Sequence, residues 1–339
     1  MNQNILKDLN KTFLIAEACE NHLGNMDNAY KMIDLSKKCG ADAIKFQHHL
    51  PDEEMLKENF PTSSNFNIPL YEFLKKNSLS LKQHKSLHAY CKKIGIIYMC
   101  TPFSYKAAIE IKNLVEIFKI GSGEFSDHTS LEKISKLNKP MILSTGMSTN
   151  QEIKETYDFM KKQNIDFAFL NCLSEYPPKY EDLNLNYIKT MKEVFSDIII
   201  GHSDHTSDNY SSFAAVTLGA KIIEKHVILD KNMVCPDQHV SIDFNQLKDL
   251  VDGIRKIEKS LGNVKKINKD EQDIRNWAHR SVVTIKDIHP GEKFSEDNLW
   301  VKRPGVGIPS KKFNEIIGRK SSKFINKDQL LNWEDIEKN

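Results

Sequence analysis

His205 and His226 close two consecutive short apolar runs, IIIGHSDH and IIEKH. At the ends of neighbouring strands their imidazoles would stand side by side and could share one divalent ion in a nitrogen and oxygen site. Ordinary hydrogen bonding accounts for one such histidine; two at adjacent strand ends favour a metal. Glu17 is a candidate carboxylate beside it, and Asp204 a candidate for orienting His205. Lys45 in AIKFQ and Lys119 in IFKIGSGE interrupt apolar runs, where a buried lysine needs an anion. With Thr101, Ser122, Ser144 and Ser203 they suit phosphate and carboxylate together, the lysines as point charges and the hydroxyls as donors. The alternatives are a lysine that snorkels or pairs with Glu17 or Glu124, or one that forms a Schiff base.

These residues share one phase. FLIAEA carries Glu17, AIKFQ carries Lys45 and Gln47, IIYMCT ends on Thr101, and IFKIGSGE brings Lys119, Ser122 and Glu124. MILSTG carries Ser144, FAFLNC leads to Tyr176, and the two histidine runs follow. Eight β-type runs thus end in polar residues, and helix-period segments separate them. Strands alternating with helices imply right-handed βα units and a parallel sheet. An open doubly wound sheet would gather its site at one switch point. Reactive residues on nearly every run favour a (β/α)8 TIM barrel, whose strand C-termini converge on one face.

Helix stops are expected at Cys39-Gly40 and at Gly95, and later helices near 151–162, 185–194, 209–218 and 244–261. A long polar insertion at 48–80, containing PTSSNFNIPLYEF, sits where a substrate-covering loop would. The barrel is expected over 1–262, and the charged stretch 263–279 reads as a linker, in part helical. From 280 to 339 short β runs are broken by His289-Pro290-Gly291 and Arg303-Pro304-Gly305. About 60 residues is near the lower limit for independent folding, so this tail should pack on something.

The 48 Lys and Arg against 46 Asp and Glu, net +2, make no case for binding nucleic acid or a membrane surface. MNQNILKDLNK lacks the apolar core of a secretory leader, and no run reaches membrane-spanning length. None of the six cysteines forms a CxxC pair, which fits reduced thiols in a cytoplasmic protein.

Taken in order, AEACENHLG, GADAIKFQ, CTPF, FKIGSGE, LSTGM, SDHT, EKH and DIHPGEKFSEDNLWVKRPG resemble the sialic acid synthase (N-acetylneuraminate synthase) family, which includes legionaminate and pseudaminate synthases. The resemblance covers nearly the whole chain, and the tail is similar to that family's SAF (antifreeze-like) domain. It implies a transferase that condenses phosphoenolpyruvate with an N-acylated mannose-type sugar, using Mn2+ or Mg2+. By motif, Lys45, Thr101, Lys119, Ser122, Ser144 and Ser203 would hold phosphoenolpyruvate, and His205 and His226 the metal. Glu17, Gln47, Glu124, Tyr176 and Asp237 would face the sugar, with Asn65 of the insertion contacting it. Glu124 would transfer a proton, and Glu17 would place a water at the metal. Arg303 would reach the active site of the other subunit in a domain-swapped homodimer, which would also stabilise the small tail.

Two departures stand out. Cys19, followed by Glu20, replaces a glycine after the first strand, and the usual GPD reads Cys235-Pro236-Asp237. Both bear on the acceptor side, where Gln238 and His239 also follow. The IP-LYEF and NLWVKRPG segments favour N-acetylmannosamine as acceptor. EKHVILDKN is more like the branches that use 2,4-diacetamido-2,4,6-trideoxy hexoses. Other readings are a 3-deoxy-octulosonate or heptulosonate phosphate synthase, which would want a second cationic cluster and lack this tail, and a non-catalytic ligand-binding barrel.

Overall fold

The computed structural model describes residues 6, 9–57 and 69–338. Eight strands form one parallel sheet: β1 (Phe13–Glu17), β2 (Ala43–His48), β3 (Ile97–Pro102), β4 (Phe118–Ile120), β5 (Met141–Ser144), β6 (Phe167–Cys172), β7 (Ile199–Asp204) and β8 (Ile222–His226). Their order is β3-β2-β1-β8-β7-β6-β5-β4. The end strands β3 and β4 lie side by side, so the sheet curls into a TIM barrel.

Strand side chains alternate between two environments, as the pleat requires. Phe13, Ile15, Ala43, Met99, Ile142 and Leu170 fill the barrel interior. Their sequence neighbours Leu14, Ala16, Ile44, Phe46, Leu143 and Ile223 pack outward among the helices. Toward the strand C-termini the interior positions turn polar, and the register lines them up: Glu17 lies opposite both Lys45 and His226, and Ser203 lies opposite Glu224. An outward polar cluster caps the same end. Lys225 sits 3.0 Å from the Asp204 carboxylate, which also accepts from the hydroxyls of Ser211 and Ser212.

The helices start and stop on local chemistry. Met26–Cys39 begins where the Asn25 side chain accepts from Asp27 N and Asn28 N. Leu81–Ile94 begins with a reciprocal Ser80 and Gln83 capping box. They end at Gly40 (φ 90°) and Gly95 (φ 75°), left-handed positions that glycine takes without a Cβ penalty. Four further expected helices occur at Asn150–Lys161, Tyr187–Val194, Tyr210–Thr217 and Phe244–Ser260. The described part of the insertion after β2 holds short helices at Pro51–Glu54 and Leu70–Asn77. Asn65 lies outside the described residues. Among those described, no helix is long and apolar enough to cross a membrane.

By its contacts the chain divides into Met1–Gly262 and Asn263–Asn339. The stretch 263–279 belongs to the second unit: helix Lys269–Ala278 is bonded into it where Gly305 N donates to Asn276 O at 2.7 Å. In that unit β9 (Ser281–Thr284) and β10 (Leu299–Lys302) pair antiparallel over a small core that includes Val282, Ile288, Phe294, Leu299 and Ile308.

Candidate active site

A cavity of about 310 Å3 opens at the C-terminal ends of the barrel strands. Twelve of the residues singled out above line it. Glu17, Lys45, Gln47, Thr101, Lys119 and Ser144 come from β1 to β5. Ser122 and Glu124 come from the turn after β4, Tyr176 from the loop after β6, and Ser203, His205 and His226 from the ends of β7 and β8. Asp237 lines an adjoining cavity together with Gln47, Glu124, Tyr176 and His226. Arg303 lies in the second unit, exposed, with its guanidinium 4.7 Å from the Trp277 ring centre and its Nε donating to Ala278 O.

The floor is a buried charge array. Lys45 forms an ion pair with Glu17 and donates to Thr101 Oγ1 at 2.9 Å. Lys119 donates to Ser144 Oγ at 2.7 Å and to Ile120 O at 2.9 Å. Glu224 lies between the lysines, 3.5 Å from Lys45 Nζ and 3.7 Å from Lys119 Nζ. Both lysines are therefore ion-paired, Lys45 with Glu17 as one of the sequence alternatives had it. Burial lowers the Lys119 pKa despite the pull of Glu224. Burial also pushes the Glu224 carboxyl upward, but Lys119 and Lys45 outweigh it and hold it low. Glu17 goes the other way, raised by burial beyond what Lys45 can offset. An incoming donor anion would meet two fixed cations, with Glu17 poised to give up its charge.

Glu124 stands apart from this array. Its Oε2 has no hydrogen-bond partner, and burial pushes its carboxyl up to about 7, against the opposing charge of Lys119. A carboxyl titrating near neutrality in a cleft can act as acid or base. Beside it, Gly146 N donates to Ser122 Oγ at 3.2 Å, fixing one hydroxyl of the donor-binding set.

The two histidines meet with ring centres 5.2 Å apart. His205 Nδ1 donates to Leu173 O at 2.8 Å, and Nε2 lies 3.2 Å from the Tyr176 hydroxyl; against burial, which lowers it, the neighbouring Cys172 raises the imidazole's pKa to about 9. That carbonyl, not Asp204, orients His205; Asp204 faces outward toward Lys225. His226 Nδ1 is buried without a partner, 4.0 Å from Asp237 Oδ2, and burial holds the imidazole well below its usual pKa and so neutral. One ligand atom each from Cys19, His226 and Asp237 lie within 4.8 Å of one another. A neutral, orphaned imidazole nitrogen next to a carboxylate, with a second oriented imidazole, fits a divalent ion. Glu17 is the weaker candidate for a metal-side role because Lys45 holds it.

The sequence profile of the NeuB family matches residues 32–266, and that of the SAF domain matches residues 279–337. The chain belongs to the NeuB family. It is 39% identical over 336 residues to N,N'-diacetyllegionaminic acid synthase of Campylobacter jejuni, covering 95% of this chain and 99% of the relative. It is 36% identical to pseudaminic acid synthase of the same species, covering 96% and 97%. A crystal structure of N-acetylneuraminic acid (sialic acid) synthetase from Leptospira borgpetersenii superposes with a TM-score of 0.72 at 32% identity, over 79% of this chain and 92% of that one. This NeuB-family chain is thus a TIM barrel followed by a SAF domain.

Glu224 escaped the sequence reading although it sits in the quoted EKH run. Period-two alternation would have found it: if His226 points inward on β8, so does the residue two before it. Phe103, Met147, Cys172 and Ser174 also line the cavity. They carried no signal beyond their place after a strand. Cys19 keeps a left-handed φ of 38° without being glycine, a strained conformation costing about 1–2 kcal/mol. The turn into the site thus carries a buried thiol.

Proposed function

We propose that this chain is a nonulosonic acid synthase, a transferase that joins phosphoenolpyruvate to an N-acylated mannose-type sugar and releases phosphate. The observation that carries the reading is one cavity holding two buried lysines, a ring of hydroxyls, a paired imidazole site and a carboxyl that titrates near neutrality. Lys45 and Lys119 neutralise the donor's phosphate and carboxylate, and Thr101, Ser122, Ser144 and Ser203 position its oxygens. C3 of the enol forms a bond to the aldehyde carbon of the open-chain sugar. Glu124 donates a proton to the aldehyde oxygen, which becomes a hydroxyl. Water adds at C2 of the donor and returns one proton to Glu124; phosphate then departs with its bridging oxygen and takes up the hydroxyl proton as C2 becomes the ketone of an α-keto acid. Gln47, Tyr176 and Asp237 hold the sugar, and Glu17 exchanges its pairing with Lys45 as the donor enters.

A Mn2+ or Mg2+ ion on His205 and His226 would supply Lewis-acid polarisation of the aldehyde. Asp237 stands close enough to His226 to contribute an oxygen ligand to such a site. Replacing His226 by Ala should weaken Mn2+ binding at least tenfold, read by electron paramagnetic resonance of the free ion with no substrate present. Unchanged Mn2+ affinity in that variant would remove His226 from the metal site.

The active assembly in this reading is a domain-swapped homodimer in which Arg303 of each protomer serves the other's site, with Asn65 facing the acceptor. The exposed guanidinium, held over Trp277, supports that use of Arg303. Mixing inactive Glu124→Gln and Arg303→Ala proteins should then restore roughly a quarter of wild-type activity, because half the dimers are mixed and one site in each is intact. No recovery after subunit exchange would place Arg303 in its own protomer's site or outside catalysis. Phosphoenolpyruvate as donor puts the reaction in the cytoplasm.

N-acetylmannosamine, giving N-acetylneuraminate, is the acceptor the sequence segments favour. A 2,4-diacetamido-2,4,6-trideoxy hexose is the second reading, favoured by the 39% identity to a diacetyllegionaminic acid synthase. The deciding experiment is phosphate release from phosphoenolpyruvate with Mn2+ and each acceptor in turn. Turnover ranks the acceptors; no release with any of them removes the synthase reading in favour of a binding protein.

A further inference from the structure

The barrel mouth opens beyond the reaction centre into a second cavity of about 330 Å3, reached past Glu124 and Tyr176. Its wall is chemically mixed: Met55, Leu70, Phe73 and Leu74 from the segment after β2, with Phe103, are apolar, and Glu20, Glu54 and Asp237 supply carboxyls. Among the described residues no Lys or Arg lines it.

The acids are not equivalent. Glu54 is engaged by His49, whose Nδ1 lies 3.0 Å from Oε1, while His49 Nε2 is held by Gln47 Oε1 at 3.0 Å. Glu20 has no such partner. Its side chain is 4% exposed, yet neither carboxyl oxygen makes a hydrogen bond. The nearest basic group, His22 Nε2, is 3.7 Å away, and burial pushes that imidazole down to about 4, so it stays neutral. Burying a polar group without a partner costs stability that an apolar side chain of the same size would not. A fold that keeps such a group in a cavity wall leaves it for something that enters the cavity.

We propose that Glu20 sets acceptor specificity: it accepts a hydrogen bond from an acylamino N–H on the part of the sugar that enters this cavity. The apolar residues of the wall take a methyl group. This deepens the synthase reading and rests on it.

The test measures phosphate release at saturating phosphoenolpyruvate and Mn2+ with two acceptors, N-acetylmannosamine and 2,4-diacetamido-2,4,6-trideoxymannose. It uses the wild type, Glu20→Leu and Glu20→Gln, with thermal unfolding of each. Glu20→Leu should raise the KM of the preferred acceptor at least tenfold, leave the KM of phosphoenolpyruvate unchanged, and keep or raise Tm. Glu20→Gln, which retains a carbonyl acceptor, should lose less. Acceptor ratios that Glu20→Leu does not change overturn the inference while leaving the synthase reading intact. A fall in Tm with equal losses for all acceptors also overturns it, since that marks a structural role. Absence of release with every acceptor overturns both.

Discussion

Replacing Glu124 by Gln should lower kcat for phosphate release by about 10²–10⁴-fold with little change in the KM for phosphoenolpyruvate. The carboxyl lines the cavity, has an oxygen without a hydrogen-bond partner, and has no part in the lysine array that would receive the donor. Gln keeps its size and removes the proton. The pH profile gives a second signature. The acid form of Glu124 predominates below about 7, so the rate should fall as pH rises through that value, and the variant should lose this limb. The stability linkage runs the same way. A carboxyl raised from 4.5 to about 7 binds its proton more tightly in the folded state than in the unfolded chain. Its contribution to stability is then greatest at low pH and declines between those two values. Glu124→Gln should flatten that decline in denaturation curves taken across the window. Equal losses in turnover and in donor binding would contradict the proton-transfer role.

Lys119→Met should act on two quantities at once. Phosphoenolpyruvate binding should weaken about a hundredfold, as expected when one partner of a buried, hydrogen-bonded charge contact is removed. Stability should also fall, by about 3 kcal/mol, because Glu224 is left with only Lys45 to compensate it. Isothermal titration with phosphoenolpyruvate and urea denaturation separate the two. The double variant Lys119→Met with Glu224→Gln restores the charge balance of the floor, so it should recover much of the stability and none of the donor affinity. If donor affinity returned with the stability, Lys119 would be a structural counter-ion to Glu224 and no more. Removing Lys119 also takes away the charge that holds the Glu124 pKa down, so the pH limb of the single variant should move upward.

These two residues show how the site could be read before any coordinates. Lys119 and Glu124 belong to IFKIGSGE, where an apolar run is broken at an inward position and followed by a glycine-rich turn. A lysine there is too costly to bury without purpose, which made it legible. Glu17, Lys45, His205 and His226 were legible on the same ground, and the phase of eight such runs carried the barrel. Glu224 passed unnoticed because a glutamate next to a lysine and a histidine looks like one of three polar residues. Only the alternation between the interior and the helix layer separates it from Lys225, which points to Asp204.

The sequence by itself determined the order of strands and helices, the polar ring at the strand ends, the helix stops at Gly40 and Gly95, and the family. All of these depend on local periodicity, on the conformational freedom of glycine, or on ordered motifs, and each is present within a short stretch of chain. Tertiary structure alone decided the partners. It placed Glu224 between two lysines more than a hundred residues away, gave His205 the Leu173 carbonyl in place of Asp204, and left Glu124, Glu20 and His226 with buried atoms unpartnered. Whether a charged group is paired or free depends on distances between segments remote in sequence and on how much water they exclude. Neither quantity is carried by residue type or spacing along the chain, and both are set when the barrel closes.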